Sequence, residues 1–349
     1  MEELLPKDNE NIPPIFLGPI APSEPQGFKL DEMVTCEECL RANAPTRVAC
    51  MYCGKPLPVT EVTARLRRPT LRAPEKNQLG FNSIIFPQKN DLPDESLTRV
   101  AKFLRLDVDA LKQIIVAQSP LPVARLASRE ESQLVTERLA ELGVQAMSVS
   151  DTELGFSEPV SKVRSLSFDN NGISLRYSRR DDVANILFPD IVLIVAARIV
   201  RSRIEISERK TRKSEDEIID SSQFFSDELV IDLYSSKHPA TWRISSGNFD
   251  FSCLAEYKSL VAGQNLNRLS ELLLSRSSNS TFDNAYNKLR PVLEFVWTSE
   301  AETTSKGWRR ERPGKYVVGA TTSNSNEEQF TRYSRLRYFL TMNPLTEFA

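Results

Sequence analysis

Histidine is almost missing from this chain of 349 residues, with His238 the single one. Ser-His-Asp and Cys-His nucleophilic chemistry both require an imidazole, so any such mechanism would have to be built on that residue. It stands in Ser235-Ser236-Lys237-His238-Pro239-Ala240, a turn-like stretch between strand-like runs, and reads as an exposed loop side chain. Histidine-rich metal catalysis is excluded outright. Glycine is scarce too, at 12 residues, and neither G-x-x-x-x-G-K-[ST] nor G-x-G-x-x-G occurs. A phosphate-cradling loop is therefore not expected. Acidic residues abound, but no spacing singles out a catalytic pair, so the chain is read as non-enzymatic.

Long hydrophobic runs are also lacking. The richest, Ile186 to Val200, contains Pro189, Asp190 and Arg198 and is too short to cross a bilayer. The opening Met1-Glu2-Glu3-Leu4-Leu5-Pro6-Lys7-Asp8 has neither a basic n-region nor an apolar h-region. The expectation is a cytoplasmic protein without membrane insertion. A formal net charge of −2 creates no global field for nucleic acid or anionic lipid.

What the chain does have is two Cys-x-x-Cys pairs, Cys36/Cys39 and Cys50/Cys53. Each pair places two thiolates on one ion, and the ten residues between the pairs suffice for a hairpin that brings them face to face. A closed tetrahedral shell of four cysteines suits structural Zn2+. A disulfide, a redox dithiol or a single iron are the alternatives. Nothing marks secretion, and Cys50-Met-Tyr-Cys53-Gly54-Lys-Pro56 does not look like the strand-to-helix junction of a redox motif. The fifth cysteine, Cys253, reads as a small buried hydrophobe.

Composition divides the rest. Residues 1–32 hold six prolines and read as a disordered tail. Residues 59–80, with Arg65, Arg67, Arg68 and Arg72, read as a basic linker. Residues 81–153 read as a small α/β sandwich module: a strand from Asn82 to Phe86, two helices with Leu97, Val100, Leu104 and Leu111, Ile114 inward, a strand Leu121–Ala127, a helix 129–142 opened by a Ser128/Glu131 capping box, and a strand Val144–Val149. Over 160–280, alternating apolar residues flank Asn170-Asn171-Gly172, a hairpin signal, and further strands are expected at 184–188, 191–206, 229–234 and 241–246. The charged stretch Glu205–Asp227 reads as a mobile loop. A helix over 254–276, with Tyr257, Leu260 and Val261 on its inner face, would close an antiparallel barrel. A helix is expected over 281–298, a disordered Ser/Thr-rich linker over 299–326, and an amphipathic helix over 327–344, capped by Ser325 with Glu328.

Three resemblances follow from these residues. The segment 33–58, with its apolar-residue-then-Gly54 ending, resembles a small zinc ribbon, implying Cys36, Cys39, Cys50 and Cys53 as ligands. Leu104 to Ser150, LRLDVDALKQIIVAQSPLPVARLASREESQLVTERLAELGVQAMSVS, resembles the C-terminal domain of the bacterial ribosomal stalk protein. That family's factor-binding lysines survive at most as Lys112, so the resemblance implies fold and not ribosomal function. The strand order followed by one helix over 160–280 resembles a pleckstrin-homology-like domain. As a whole the chain is similar to bacterial proteins that open with a zinc ribbon. The fold expected is α+β and multidomain. The function expected is a zinc-binding adaptor or scaffold that mediates protein–protein interaction. The alternatives are nucleic-acid binding through the arginines of 65–72 and Trp308, Arg309, Arg310 and Arg312, and last a carboxylate-dependent enzyme. Phe330, Tyr333 and Leu336 with Arg332 and Arg335 on the last helix fit either a docking face or a helix folded back on its own core.

Overall fold

The computed structural model describes residue 28 and residues 33–58, 71–75, 78–87, 92–177, 182–211, 214–299, 301–312 and 315–344, with side chains outside 207–220 and 306–318. The expected tail over 1–32 lies outside these residues apart from residue 28, and the expected linker over 59–80 is described only at 71–75 and 78–80. The chain divides into two compact units, Met1–Arg68 and Pro69–Ala349. The described part of the first unit holds only two strands of two residues each, β1 (Val34–Thr35) and β2 (Ala42–Asn43), paired antiparallel.

In the second unit, β3 (Phe81–Ile85) lies between β4 (Leu121–Leu126) and β5 (Ala146–Ser150), antiparallel to both. Helices α1 (Asp94–Leu104), α2 (Val108–Val116) and α3 (Arg129–Glu141) complete this part. Local chemistry explains the boundaries. The Asp107 carboxylate accepts from the N–H groups of Asp109 (2.8 Å) and Ala110 (3.4 Å) at the start of α2, and Ser128 Oγ accepts from Glu131 N (3.2 Å) at the start of α3. Both satisfy donors that a first helical turn leaves open. Gly143, with φ +81°, follows α3 in the left-handed conformation glycine adopts without strain.

A nine-stranded, curled half-barrel sheet follows. Its strands are β6 (Val160–Phe168), β7 (Gly172–Tyr177), β8 (Asp182–Leu187), β9 (Ile191–Thr211), β10 (Ser214–Ser235), β11 (Thr241–Ser245), β12 (Thr281–Asp283), β13 (Ala301–Arg312) and β14 (Lys315–Ser325). The order is β13-β14-β9-β10-β11-β6-β7-β8, with β12 added beside β9. Two pairs, β11/β6 and β12/β9, are parallel, which corrects the all-antiparallel barrel. The hairpin expected at Asn170-Asn171-Gly172 joins β6 to β7. Asp169 N bonds Gly172 O (3.1 Å) around Asn170 and Asn171, so Gly172 already lies in β7. A Cβ there would meet Ile186 O at 2.2 Å; the glycine permits close strand approach.

Two larger corrections concern charged and polar stretches. The mobile loop expected over 205–227 is a ladder of β9 against β10, from Thr211/Ser214 at its tip to Ile191/Ser235 at its base, with register shifts at Ser214/Glu217, Ile218/Asp220 and Tyr234/Ser235. The disordered linker expected over 299–326 is the hairpin of β13 and β14, and β14 pairs with β9 from Lys315/Thr211 to Ser325/Arg201. Both stretches lack apolar alternation, and their described side chains are exposed or half-buried, so this arm of the sheet is ordered by ladder pairing and not by a core. Side-chain pairs replace apolar packing: Arg198–Asp227 (3.3 Å), Arg201–Glu228 (3.0 Å) and Thr303–Thr322 (3.1 Å). Eleven residues of β9 beyond Val200 give this arm a length of roughly 35 Å.

The expected helix over 254–276 is broken. A short 3-10 segment, Phe251–Tyr257, contains Ala255 at φ 48°, and α4 (Ala262–Arg276) starts only after Val261. Leu266, Leu269 and Leu273 of α4 pack with Ile194, Ile231 and Trp242 of the sheet, whereas Tyr257, Leu260 and Val261 are exposed. The helix expected over 281–298 is shorter, α5 (Tyr286–Leu293), which contains Pro291.

Helix α6 (Glu327–Met342) is folded back on the chain's own core, with Phe330, Tyr333 and Leu336 fully buried. Asn326 directly precedes it, and its side chain bonds Val200 N (2.7 Å) and Arg198 O (3.1 Å) instead of capping, while Ser325 Oγ accepts from Glu327 N (3.1 Å) in the first turn. These residues share one apolar cluster with Ile84, Val123 and Val149 of the 81–150 part and with Tyr286, Leu293 and Trp297. Polar contacts run the same way: Trp297 Nε1 donates to Asn82 Oδ1 (2.9 Å), and buried Asp151 accepts from Asn82 (2.8 Å) and Arg125 (2.6 Å). Segments read in the sequence as modules on linkers thus share a core.

Under the arm's base, Glu327 takes hydrogen bonds from Arg201 (2.7 Å) and Arg243 (3.3 Å). Partial burial alone would raise its pKa, but Arg201, Arg243 and Lys162 outweigh it and hold the carboxyl below its ordinary value. A depressed folded-state pKa gives stability that is complete above the unfolded-state value and lost as pH falls through the folded-state value. The denaturation midpoint is therefore expected to drop on acidification through the carboxylate range, and less steeply in Glu327→Gln. An equal slope in both proteins would assign the acid sensitivity elsewhere.

Candidate metal centre

Cys36-x-x-Cys39 and Cys50-x-x-Cys53 fold into two turns with the same hydrogen bonds. Leu40 N donates to Cys36 O (2.9 Å) and Gly54 N to Cys50 O (3.0 Å); Cys36 N donates to Arg41 O (3.0 Å) and Cys50 N to Lys55 O (2.7 Å). Each turn also needs a left-handed residue directly after its second cysteine, Leu40 at φ 56° and Gly54 at φ 72°. Glycine meets that need freely; leucine does so at a cost of about 1 kcal/mol. The β1/β2 pairing closes the first turn and the bridge between Ala49 and Pro56 closes the second.

The result brings all four thiols together, with their Sγ atoms within 4.8 Å of one another. The closest pairs run between turns, Cys36–Cys53 at 3.6 Å and Cys39–Cys50 at 3.5 Å. These distances are far beyond a disulfide bond of about 2.05 Å, and all four thiols are free. A tetrahedron with metal–sulfur bonds of about 2.3 Å has edges of about 3.8 Å, so the cluster could hold a metal ion. Electrostatics point the same way. Burial opposes ionisation of Cys50, but the N–H groups of Cys53 and Tyr52, the Cys39 thiol and Asn43 favour its thiolate and bring it down to about 6. Cys53 takes a favourable backbone hydrogen bond from Lys55, yet burial and the other three cysteines push it up to about 12. A thiolate at Cys50 is favoured while those at Cys39 and Cys53 are opposed, the situation a cation relieves.

Asn43 was not singled out by sequence reading. It is buried, donates to Cys50 Sγ (3.5 Å) and Arg41 O (2.8 Å), and accepts from Met51 N (2.8 Å). It thereby ties one turn to the other and steadies a sulfur. Asn43 is the one side-chain amide among the ten residues between the two Cys-x-x-Cys pairs, the signal that would have found it.

The other candidate residues are dispersed. His238 is exposed between β10 and β11, edge-on to Trp242 at 6.0 Å. Cys253 is half-buried in the second unit, where burial pushes its thiol up to about 11. Arg65, Arg67 and Arg68 lie outside the described residues, and Arg72 is exposed beside Glu75 at 3.4 Å. Trp308, Arg309, Arg310 and Arg312 fall within β13. Arg332 and Arg335 are not free for a partner: both lie over the Phe156 ring, Arg332 bonds Glu328 (2.6 Å), and Arg335 bonds the carbonyls of Gly155 and Glu158. Of the two readings of α6, this leaves the helix folded back on its own core. Among the described residues, no helix is long and apolar enough to cross a membrane. Comparison with protein-family models, curated proteins and solved structures gave no match.

Proposed function

We propose that the chain is a zinc-binding, non-catalytic adaptor of the reducing cytoplasm, of bacterial type, that mediates protein–protein interaction. The four-cysteine cluster is read as a structural zinc site: thiolate ligands in a closed tetrahedral set favour Zn2+ and leave no position for substrate. The observation that carries the adaptor reading is the projecting arm. Its Phe224 and Phe225 are successive residues of β10, 57% and 69% exposed. Neighbouring strand residues face opposite sides, so both faces of the arm are offered to solvent. A projecting sheet with open borders supplies backbone donors and acceptors to an added strand.

Trimming the arm tests this. Replacing 203–225 and 303–322 by short turns leaves the buried body intact. Tagged full-length protein is expected to retain partner proteins that the trimmed form loses. Recovery of the same proteins by both forms, or of none by either, would reject the reading. A second reading, nucleic-acid binding, rests on the basic residues of β13 and predicts affinity that falls steeply with salt; no binding at low salt removes it.

A further inference from the structure

The two borders of the arm differ in charge. The tip of β10, Ser214–Asp220, carries Glu215, Asp216, Glu217 and Asp220 and no basic residue, whereas Lys306–Arg312 of β13 carries Lys306, Arg309, Arg310 and Arg312 against Glu311 alone. These stretches lie level with each other across the sheet. Glu217 is opposite Arg209, Arg209 opposite Val317, and Val317 opposite Arg309. One row therefore runs from an acidic residue at one border to a basic residue at the other. Among the described residues, β10 has no partner strand on its outer side before Val230, and β13 forms the far border of the sheet.

We infer that the arm pairs with a second copy of this chain, border to border, with β10 of one copy beside β13 of the next. The inference rests on reading the arm as a protein-binding element. Strand direction supports it. The four strands β13, β14, β9 and β10 alternate in direction, so the borders run opposite ways. A copy shifted along the row by four strand spacings, about 19 Å, presents its β13 antiparallel to β10 without being turned over. That shift sets Arg309 of one copy next to Glu217 of the other. The two symmetric alternatives, β10 on β10 and β13 on β13, would each oppose like charges, which destabilises cross-strand pairs. Charge on an edge strand normally blocks association; opposite charge on the two edges blocks only the symmetric kind. Twist removes the steric objection. At about 20–25° per strand step, four steps rotate successive copies by about 80–100° about the stacking axis, which swings their bodies apart. Bulges at Ser214/Glu217 and Ser305/Trp308 add to this twist. A border-to-border contact of this kind is heterologous, so it continues beyond a dimer.

The purified full-length chain is expected to show concentration-dependent growth past dimer in sedimentation velocity at low salt, and to dissociate as salt screens the borders. The variant Glu215→Lys/Glu217→Lys/Asp220→Lys and the variant Arg309→Glu/Arg310→Glu/Arg312→Glu should each self-associate about tenfold more weakly or worse. Mixed together they should associate again, because each then offers the border the other lacks. Recovery on mixing also establishes that both variants are folded. A wild-type chain that stays monomeric at every concentration overturns the inference, as do variants that associate like wild type or fail to recover when mixed. Monomeric protein that shifts only when an oligonucleotide is added would overturn it too and assign β13 to nucleic acid. The adaptor reading fails separately, if the trimmed protein captures the same other proteins as the full chain.

Discussion

Asp232→Ala is expected to lower stability by about 3–5 kcal/mol, the cost of leaving a buried charge without its partner. Asp232 and Arg243 sit directly opposite each other on β10 and β11, with their side chains 0% and 2% exposed. Arg243 Nε donates to Asp232 Oδ1 (2.7 Å) and its Nη2 to Oδ2 (2.8 Å), a two-pronged contact. Burial would by itself lower the arginine's pKa, but Asp232 and then Glu327 drive it further above its ordinary value. The guanidinium also donates to Thr331 Oγ1 (3.0 Å) and lies 4.8 Å from the Phe330 ring centroid. It is therefore the bolt between the sheet and α6. Removing the aspartate leaves a cation with only a weaker, partly exposed carboxylate, Glu327. For a domain whose total stability is about 5–15 kcal/mol, that is a large share. Urea denaturation should show a lower midpoint with an unchanged slope. Arg243→Lys should fall between the two, since an ammonium cannot make the forked contact. A midpoint for Asp232→Ala equal to that of the unaltered protein would refute the account.

The second large effect concerns the four thiols. The described first unit has an apolar cluster of only Val34, Cys36, Cys50 and Leu57, with Cys39 beside it, two of its four members being proposed ligands. So little core cannot order 26 residues against chain entropy. Structural zinc contributes about 10–16 kcal/mol of apparent binding free energy in comparable small sites, and there binding is folding. Cys36→Ser, Cys50→Ser or strong chelation should therefore remove amide-exchange protection throughout 33–58. The denaturation midpoint of the second unit should not move, because its core is built from other residues. Elemental analysis of the unaltered protein should find one zinc per chain. Metal-free protein with residues 33–58 still protected would contradict both the ion and its role.

How much of this was legible in the sequence depends on whether a segment needed a core. Helices and strands between 81 and 150 lie within a residue or two of the positions given by Leu97, Val100, Leu111, Ile114 and Leu134, because each of those side chains must be buried. The convergence of Cys36, Cys39, Cys50 and Cys53 was legible from spacing alone, whereas Asn43 was not. The arm escaped notice for the opposite reason. Among the described side chains of Glu205–Asp227 and Thr303–Ser325 none is fully buried, so their strands are held by ladder hydrogen bonds and cross-strand pairs that leave no periodic trace. Tyr257, Leu260 and Val261 misled in another way: they continue the spacing of α4 backwards, but the backbone at Ala255 turns before helix can form. The shared core of α6 and the 81–150 part was invisible because local patterns carry no information about partners two hundred residues apart.

That last arrangement has a bearing on how the molecule is made. Asn82 receives its hydrogen bond from Trp297, and Ser119 receives one from Arg337. During synthesis, the apolar surface of the 81–150 part emerges well before Trp297 and α6, which cover it. Contacts this distant make folding slow and expose unfinished intermediates. The body closes only once Trp297 and α6 have been made.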